Sequence, residues 1–149
     1  MMGERIPLSH RVGRAAYVFA FNLVLWVGIP ILLSNLLSQA LPPSPLATPA
    51  FVYAFGAVIT GLQTLAALTE GMAISVPFSS GGYIASAYYI WAVTAGGNLP
   101  VNTAGVSLVL SFTPIVFLLM VGPLFGAVRA PLLFLLEQSE VARPVPDEL

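Results

Sequence analysis

The sequence contains no cysteine and no lysine, and it has a single histidine, His10. Without cysteine, one copy of the chain cannot form a disulfide, an iron–sulfur cluster, a thiolate metal site or a c-type haem attachment. One histidine cannot supply a bis-histidine haem or a three-histidine zinc site. We therefore predict no cofactor and no metal. His10 lies beside arginines ahead of the first apolar run, where we expect it to be solvated or bound to lipid phosphate.

Charge is also scarce, because charged residues make up 7% of the 149 positions and hydrophobic residues make up 58%. An average soluble domain carries about 25% charged residues, so a water-facing surface cannot be built from this composition. The net charge of −1 offers no basic surface for nucleic acid, which we exclude as a partner. The sequence predicts an all-α integral membrane protein with one transmembrane domain over residues 1–149.

Four apolar runs predict a four-transmembrane-helix bundle, since roughly 20 helical residues cross a bilayer core. Proline-rich and glycine-rich segments separate the runs and mark the loops. The third run is the least regular, because Pro77 and a serine–glycine stretch interrupt it. It is either a loop at 73–81 followed by a short helix, a longer helix kinked at Pro77, or a re-entrant segment. The predicted spans are 15–38, 50–71, 80–97 and 106–129.

The apolar character continues beyond the fourth span for longer than a bilayer requires. Arg129 and Pro131 suggest a break, and proline suits the first turn of a new helix. We therefore predict a short interfacial helix over 131–140. At the other end, Ser38-Gln39-Ala40 resembles a signal-peptidase site, but a signal core spans about 7–15 residues. The first run is longer, so we expect it to be retained as a membrane span.

The distribution of arginine predicts the orientation. Three arginines precede the first span, two follow the fourth, and the loops at 41–49 and 97–105 carry no charge. By the positive-inside rule, both termini are cytoplasmic in a multi-pass topology. The residues used are Arg5, Arg11, Arg14, Arg129 and Arg143.

Four polar side chains within or next to the spans are candidate site residues. Glu70 and Arg129 fall at a similar depth at the cytoplasmic boundary, where charges pair or reach water; a proton- or ion-coupling role for Glu70 is the alternative. Asn22 and Gln63 lie roughly 10–12 Å from the same face. We expect them to hydrogen-bond between the first two spans, and a polar site for a substrate or quinone headgroup is the alternative.

Small residues spaced by four occur in several spans, and they let helix backbones approach closely. They predict tight packing inside the chain or between copies of it. Tyr88-Tyr89 lies deep in the third span and needs hydroxyl partners; an aromatic pocket for a lipid, quinone or pigment is an open alternative. The helix-packing candidates are Ala57, Gly61, Gly122 and Gly126.

No nucleophile elbow, P-loop, zinc-protease motif or paired-carboxylate constellation is present, so we predict no enzymatic activity and no catalytic residue. The favoured function is a non-catalytic polytopic membrane subunit. Its partners would be the lipid bilayer and either other membrane subunits or copies of itself. The main alternative is a small oligomeric channel or transporter with a polar pathway near Asn22, Gln63 and Glu70. A lipid-directed enzyme using His10 or Glu70 ranks last.

Overall fold

The computed structural model describes residues 8–37, 48–103 and 106–141. Helices dominate these residues, which confirms the all-α prediction. Most of the predicted loop at 41–49 and the polar tail after residue 141 lie outside the described residues. So does the candidate cleavage site at 38–40.

Helical segments follow one another along the chain with short connections. The first helix passes without interruption through a π-helical turn into the second. A short 3₁₀ turn and an antiparallel hairpin separate the last two helices. The elements are α1 (Leu8–Leu23), the π turn (Val24–Gly28), α2 (Ile29–Leu37), α3 (Pro49–Leu68), α4 (Ser75–Val93), the 3₁₀ turn (Ala95–Gly97), β1 (Asn98–Thr103), β2 (Val106–Ser111) and α5 (Thr113–Val141).

Three helical segments are long and apolar enough to cross a membrane, which is consistent with a membrane protein. Each reaches the roughly 20 residues that an α-helix needs to cross a bilayer core. The segments are Leu8–Leu33, Pro49–Leu68 and Thr113–Leu136.

The long helices pack in chain order, α1 against α3, α3 against α4, and α4 against α5. The buried core lies where α3 and α4 meet the π turn. There the indole of Trp26 meets the Tyr89 ring edge-on, with 5.6 Å between ring centroids. Ile59 is fully buried, and Val52 and Tyr89 are each 3% exposed. Aromatic side chains therefore fill the core in the half of the bundle that contains the π turn.

Each of the three helix crossings carries a glycine on the later helix. A Cβ added to Gly56 of α3 would lie 3.1 Å from a carbonyl oxygen of the π turn. One added to Gly82 of α4 would lie 2.9 Å from the Gln63 side chain, and one added to Gly126 of α5 would lie 2.9 Å from the Tyr83 ring. The absence of a side chain is what lets neighbouring helices approach this closely.

Pro30, Pro123 and Pro131 lie inside the helices, where a proline leaves a carbonyl without its helical donor. At Pro30 and Pro131, α4 supplies a hydroxyl to that carbonyl. Pro30 has no N–H for the Trp26 carbonyl four residues earlier, and the Tyr89 hydroxyl donates to that oxygen at 3.1 Å. The π turn just before Pro30 is a common way for a helix to accommodate such a defect.

The second proline, Pro131, explains why the predicted interfacial helix does not appear as a separate element. Pro131 leaves the Ala127 carbonyl without a donor, and the Ser80 hydroxyl donates to that oxygen at 3.0 Å. With that carbonyl satisfied by a neighbouring helix, the chain continues helically through the proline. The structure therefore has one helix, α5, where the sequence predicted a break near Arg129 and a new helix over 131–140.

The start of the predicted fourth span also differs, because residues 106–111 form strand β2 and α5 begins at Thr113. β2 pairs with β1 from Asn98↔Ser111 to Thr103↔Val106. A short apolar run cannot be assigned to helix or strand from periodicity alone. The turn before the hairpin requires a glycine, because Gly97 has φ +84° and a Cβ there would lie 2.5 Å from the Thr113 Cα. This turn follows α4 and leads into strand β1.

The third predicted span begins earlier than expected, since α4 starts at Ser75 rather than near residue 80. Pro77 lies in its first turn, where the helix has no use for its N–H. Of the alternatives for this segment, the structure shows a longer helix, with the proline at its start.

Candidate functional site

A cavity of about 350 Å³ opens among the four long helices at the end of the bundle that carries Arg14 and Glu70. Charged and polar side chains line one part of it: Arg14, Gln63, Glu70, Ser75, Ser79 and Tyr83. Apolar side chains line the rest, among them Val18, Ala66, Val76, Leu133 and Phe134. The cavity is therefore amphipathic.

An ion pair joins α1 to the end of α3 at this cavity. Arg14 Nη1 donates to Glu70 Oε1, and the two side chains are 53% and 32% exposed, so the pair reaches solvent. The other carboxylate oxygen, Glu70 Oε2, is buried and accepts no hydrogen bond from the described residues. Carboxylate oxygens normally accept several hydrogen bonds. The pair thus leaves one acceptor facing the protein without a donor.

Arg11 lies one helical turn before Arg14 and belongs to the same corner. Its guanidinium is close to Gly71, where a Cβ would lie 3.8 Å from Arg11 Nη2. Arg11 Nε is also buried without an acceptor among the described residues. Arg14 and Glu70 therefore line the cavity, and Arg11 lies beside it, next to the lining residue Gly71.

The structure puts Glu70 and Arg129 at the same end of the bundle, because Ala130, next to Arg129, lines the same cavity as Glu70. The ion pair that Glu70 forms is with Arg14 and not with Arg129. Arg129 is exposed. Sequence reasoning missed Arg14 as the partner, although its own topology placed Arg14 at this boundary.

The two candidate amides are separated in the structure. Gln63 lines the cavity. Asn22 is 4% exposed and bonds within its own helix: its amide donates to the Val18 carbonyl at 2.8 Å and its oxygen accepts from Trp26 Nε1 at 2.9 Å. Asn22 therefore orients an aromatic ring of the core, and it does not join Gln63 and Glu70 in a polar pathway within one chain.

Among the four predicted packing residues, only Gly126 packs inside the described part of the chain, against Tyr83. A Cβ added to Gly61 or Gly122 would meet nothing within 4 Å, and Ala57 is exposed. Sequence reasoning missed Gly56, where an added Cβ would lie 2.4 Å from the Val27 side chain. Spacing by four finds small residues but not the direction they face.

The tyrosine pair lies away from this cavity. Tyr89 is buried in the aromatic core, and Tyr88 is 54% exposed with its ring 5.3 Å from that of Phe55. Neither contributes to the cavity described above.

The part of the chain that the structure describes contains no group of three His, Asp or Glu side chains able to hold a metal ion. Comparison with protein-family models, curated proteins and solved structures found no match for this chain. The functional interpretation accordingly rests on the chain's own geometry.

Proposed function

We propose that the protein is a non-catalytic membrane subunit with four transmembrane helices and both termini in the cytoplasm, which packs against copies of itself or other membrane subunits. The observation that carries the proposal is the outer face of α3. Ala57 and Gly61 lie there in the middle of an apolar helix, and neither is used for packing within the described chain.

The fourth span in this proposal is α4, which carries more serine and glycine than its neighbours. It lies between α3 and α5 along its length: Gly82 contacts α3, Ser80 bonds to α5, and Trp91 lies 5.6 Å from Phe117 between ring centroids. A helix held between two membrane-crossing neighbours shares their depth. Its polar groups face protein, where hydrogen-bond partners offset their cost in the bilayer.

The outer face of α3 has the shape of a helix-docking surface. Ala50, Ala54, Ala57 and Gly61 recur at helical spacing along it, and larger exposed side chains such as Tyr53 and Val58 flank them. Every crossing inside the chain uses a small residue for close approach. An unused row of such residues at mid-helix supports a further crossing with another chain.

Cysteine cross-linking in native membranes tests the proposal, because the chain contains no cysteine of its own. We expect a single Gly61→Cys to form a specific adduct, with a second copy under oxidation or with a partner through a maleimide photocross-linker. Ile84→Cys is the matched control, since Ile84 is 57% exposed on α4 near the level of Gly61. If both positions react equally, or Gly61→Cys gives only monomer, the α3 face is not an interface.

A channel or transporter is the second candidate, and the cavity is the observation that favours it. Gln63 and Glu70 line that cavity together. Beyond it, buried Ile59 and Tyr89 fill the bundle, so a pathway would need to run between chains. Proton or cation flux into liposomes that disappears in Glu70→Gln would favour this function. Equal flux with and without the protein would exclude it for the ions tested.

A further inference from the structure

We propose that the cavity at the Arg14–Glu70 corner binds the headgroup of an anionic phospholipid that carries hydroxyl groups. Its phosphate would lie against Arg14 and Arg11, and a headgroup hydroxyl would donate to Glu70 Oε2. The inference is independent of the subunit proposal, because it concerns the opposite, inward side of α3.

The two arginines have N–H donors that no acceptor among the described residues uses. An arginine presents five N–H donors, and Arg14 uses Nη1 for Glu70 while half of its side chain remains exposed. Arg11 lies against Gly71, which lines the cavity, and its Nε is without an acceptor among the described residues. Arginine forks match the geometry of phosphate oxygens. The corner can therefore hold one phosphate.

The charges at the corner select an anion over a zwitterion. Arg11 and Arg14 contribute two positive charges and Glu70 one negative charge, which leaves one positive charge uncompensated. One phosphodiester neutralises it. A zwitterionic headgroup brings no net charge and leaves that excess in place.

The acceptor at Glu70 selects for a hydroxyl on the headgroup. Oε2 is buried without a donor from the described residues, and a buried acceptor left unpaired is unfavourable. A hydroxyl placed one or two carbons from the phosphate supplies the donor without changing the charge balance. Glycerol esterified to phosphate has this chemistry.

The apolar wall identifies a lipid as the source of that phosphate. Leu133 and Phe134 of α5 and Val76 of α4 line the same cavity as the charged pair. The volume of about 350 Å³ suits a headgroup and the glycerol next to it, and acyl chains would extend along the helices. A free phosphate in water would gain nothing from these side chains.

Native mass spectrometry of the full-length protein, titrated in detergent with defined dioleoyl lipids, tests the proposal. Phosphatidylglycerol should bind at least about fivefold more tightly than phosphatidylmethanol, which has the same charge but lacks the hydroxyls. It should bind at least about tenfold more tightly than phosphatidylcholine, a difference of about 1.4 kcal/mol. Free glycerol phosphate at millimolar concentration should not displace it.

A variant pair locates the site. We expect Arg14→Gln to weaken phosphatidylglycerol binding by about tenfold, whereas Arg129→Gln, an exposed arginine at the same end that does not line the cavity, should change it less than about twofold. Equal losses of phosphatidylglycerol affinity in both variants would contradict the proposed location of the site. Equal binding of the three lipids by the unmodified protein would overturn the chemistry, whatever the variants do. Displacement by glycerol phosphate would show a site for soluble phosphate and overturn the lipid assignment.

Discussion

At the scale of single residues, hydroxyl groups of α4 donate hydrogen bonds to carbonyl oxygens that lack a backbone donor in other helices. Tyr89 reaches the Trp26 carbonyl that Pro30 leaves without a donor, and its ring packs on the same indole. Asn22 holds that indole by accepting a hydrogen bond from Trp26 Nε1. One small set of side chains thus holds α4 against the π turn.

The Tyr89 hydroxyl gives a residue-scale prediction. Tyr89→Phe keeps the ring and removes the donor, so it should lower the free energy of unfolding by about 1 kcal/mol, within the range of interhelical hydrogen bonds in membranes. Tyr88→Phe is the control, because the Tyr88 hydroxyl bonds to none of the described residues, and it should change stability by less than about 0.3 kcal/mol. Steric trapping or SDS unfolding would measure both. Equal effects would mean that the hydroxyl bond contributes nothing.

At the scale of helical elements, glycines set the distances between neighbours and prolines do not set the helix ends. Gly56, Gly82 and Gly126 each lie where a side chain would strike the adjacent helix. Pro77 lies at the start of α4, whereas Pro131 lies inside α5. Pro77 occupies a first turn, where the helix needs no N–H. Pro131 lies inside a continuous helix, and the carbonyl it leaves without a helical donor accepts from Ser80.

Two glycines on α3 form a matched pair for a test of packing. Gly56→Ala adds a methyl against the side chain of Val27 and the backbone of the π turn, and overpacking of this kind costs about 1–3 kcal/mol. Gly61→Ala adds the same methyl in open space within the chain and should leave the stability of the monomer unchanged or slightly higher. The free energies of unfolding of the two variants, measured in parallel, test this difference. Equal destabilisation would contradict the observed orientation of α3.

The Ser80 bond to α5 can be isolated with a double-mutant cycle. Ser80→Ala should cost about 0.6–1 kcal/mol, as interhelical hydrogen bonds do. In a Pro131→Ala background, residue 131 has an N–H that satisfies the Ala127 carbonyl, so the same Ser80→Ala change should cost close to nothing. A cost that is the same in both backgrounds would show that the proline and the hydroxyl act independently.

At the scale of the whole molecule, the order of contacts α1–α3–α4–α5 produces one polar end and one hairpin end. Arg11, Arg14 and Glu70 lie at the first, together with the α5 segment around Ala130. The β1–β2 hairpin lies at the second, between the end of α4 and the start of α5. If the positive-inside rule holds for this chain, the polar end is cytoplasmic.

Labelling from one side of the membrane tests this orientation. Single cysteines introduced at Ser139, near the end of α5, and at Asn98, at the start of the hairpin, are both on exposed side chains. In sealed right-side-out vesicles, a membrane-impermeant maleimide should label Asn98→Cys and leave Ser139→Cys unlabelled until the membrane is permeabilised. The reverse pattern would invert the topology, and labelling of both before permeabilisation would contradict four spans.

The sequence alone determined how apolar the surface is and that Glu70 and Arg129 lie at the same end of the bundle. With 7% charged residues, most of the surface must face lipid, and chain length then limits how many helices can cross. Glu70 and Arg129 accordingly lie at one end, as their positions in the spans predicted. These properties follow from composition and from a fixed rise per residue, neither of which depends on how the helices rotate.

Only the tertiary structure determined how each helix is rotated about its own axis, and therefore which side chains line the candidate site. α3 carries small and apolar residues on both its inward and its outward face, so residue type does not show which face is inside. Gly56 turns inward while Gly61 turns out. Arg14 became the partner of Glu70 because α1 packs on α3. The carbonyl that Pro131 leaves without a helical donor accepts from a serine of another helix. Each outcome depends on a donor or a surface that a distant part of the chain supplies.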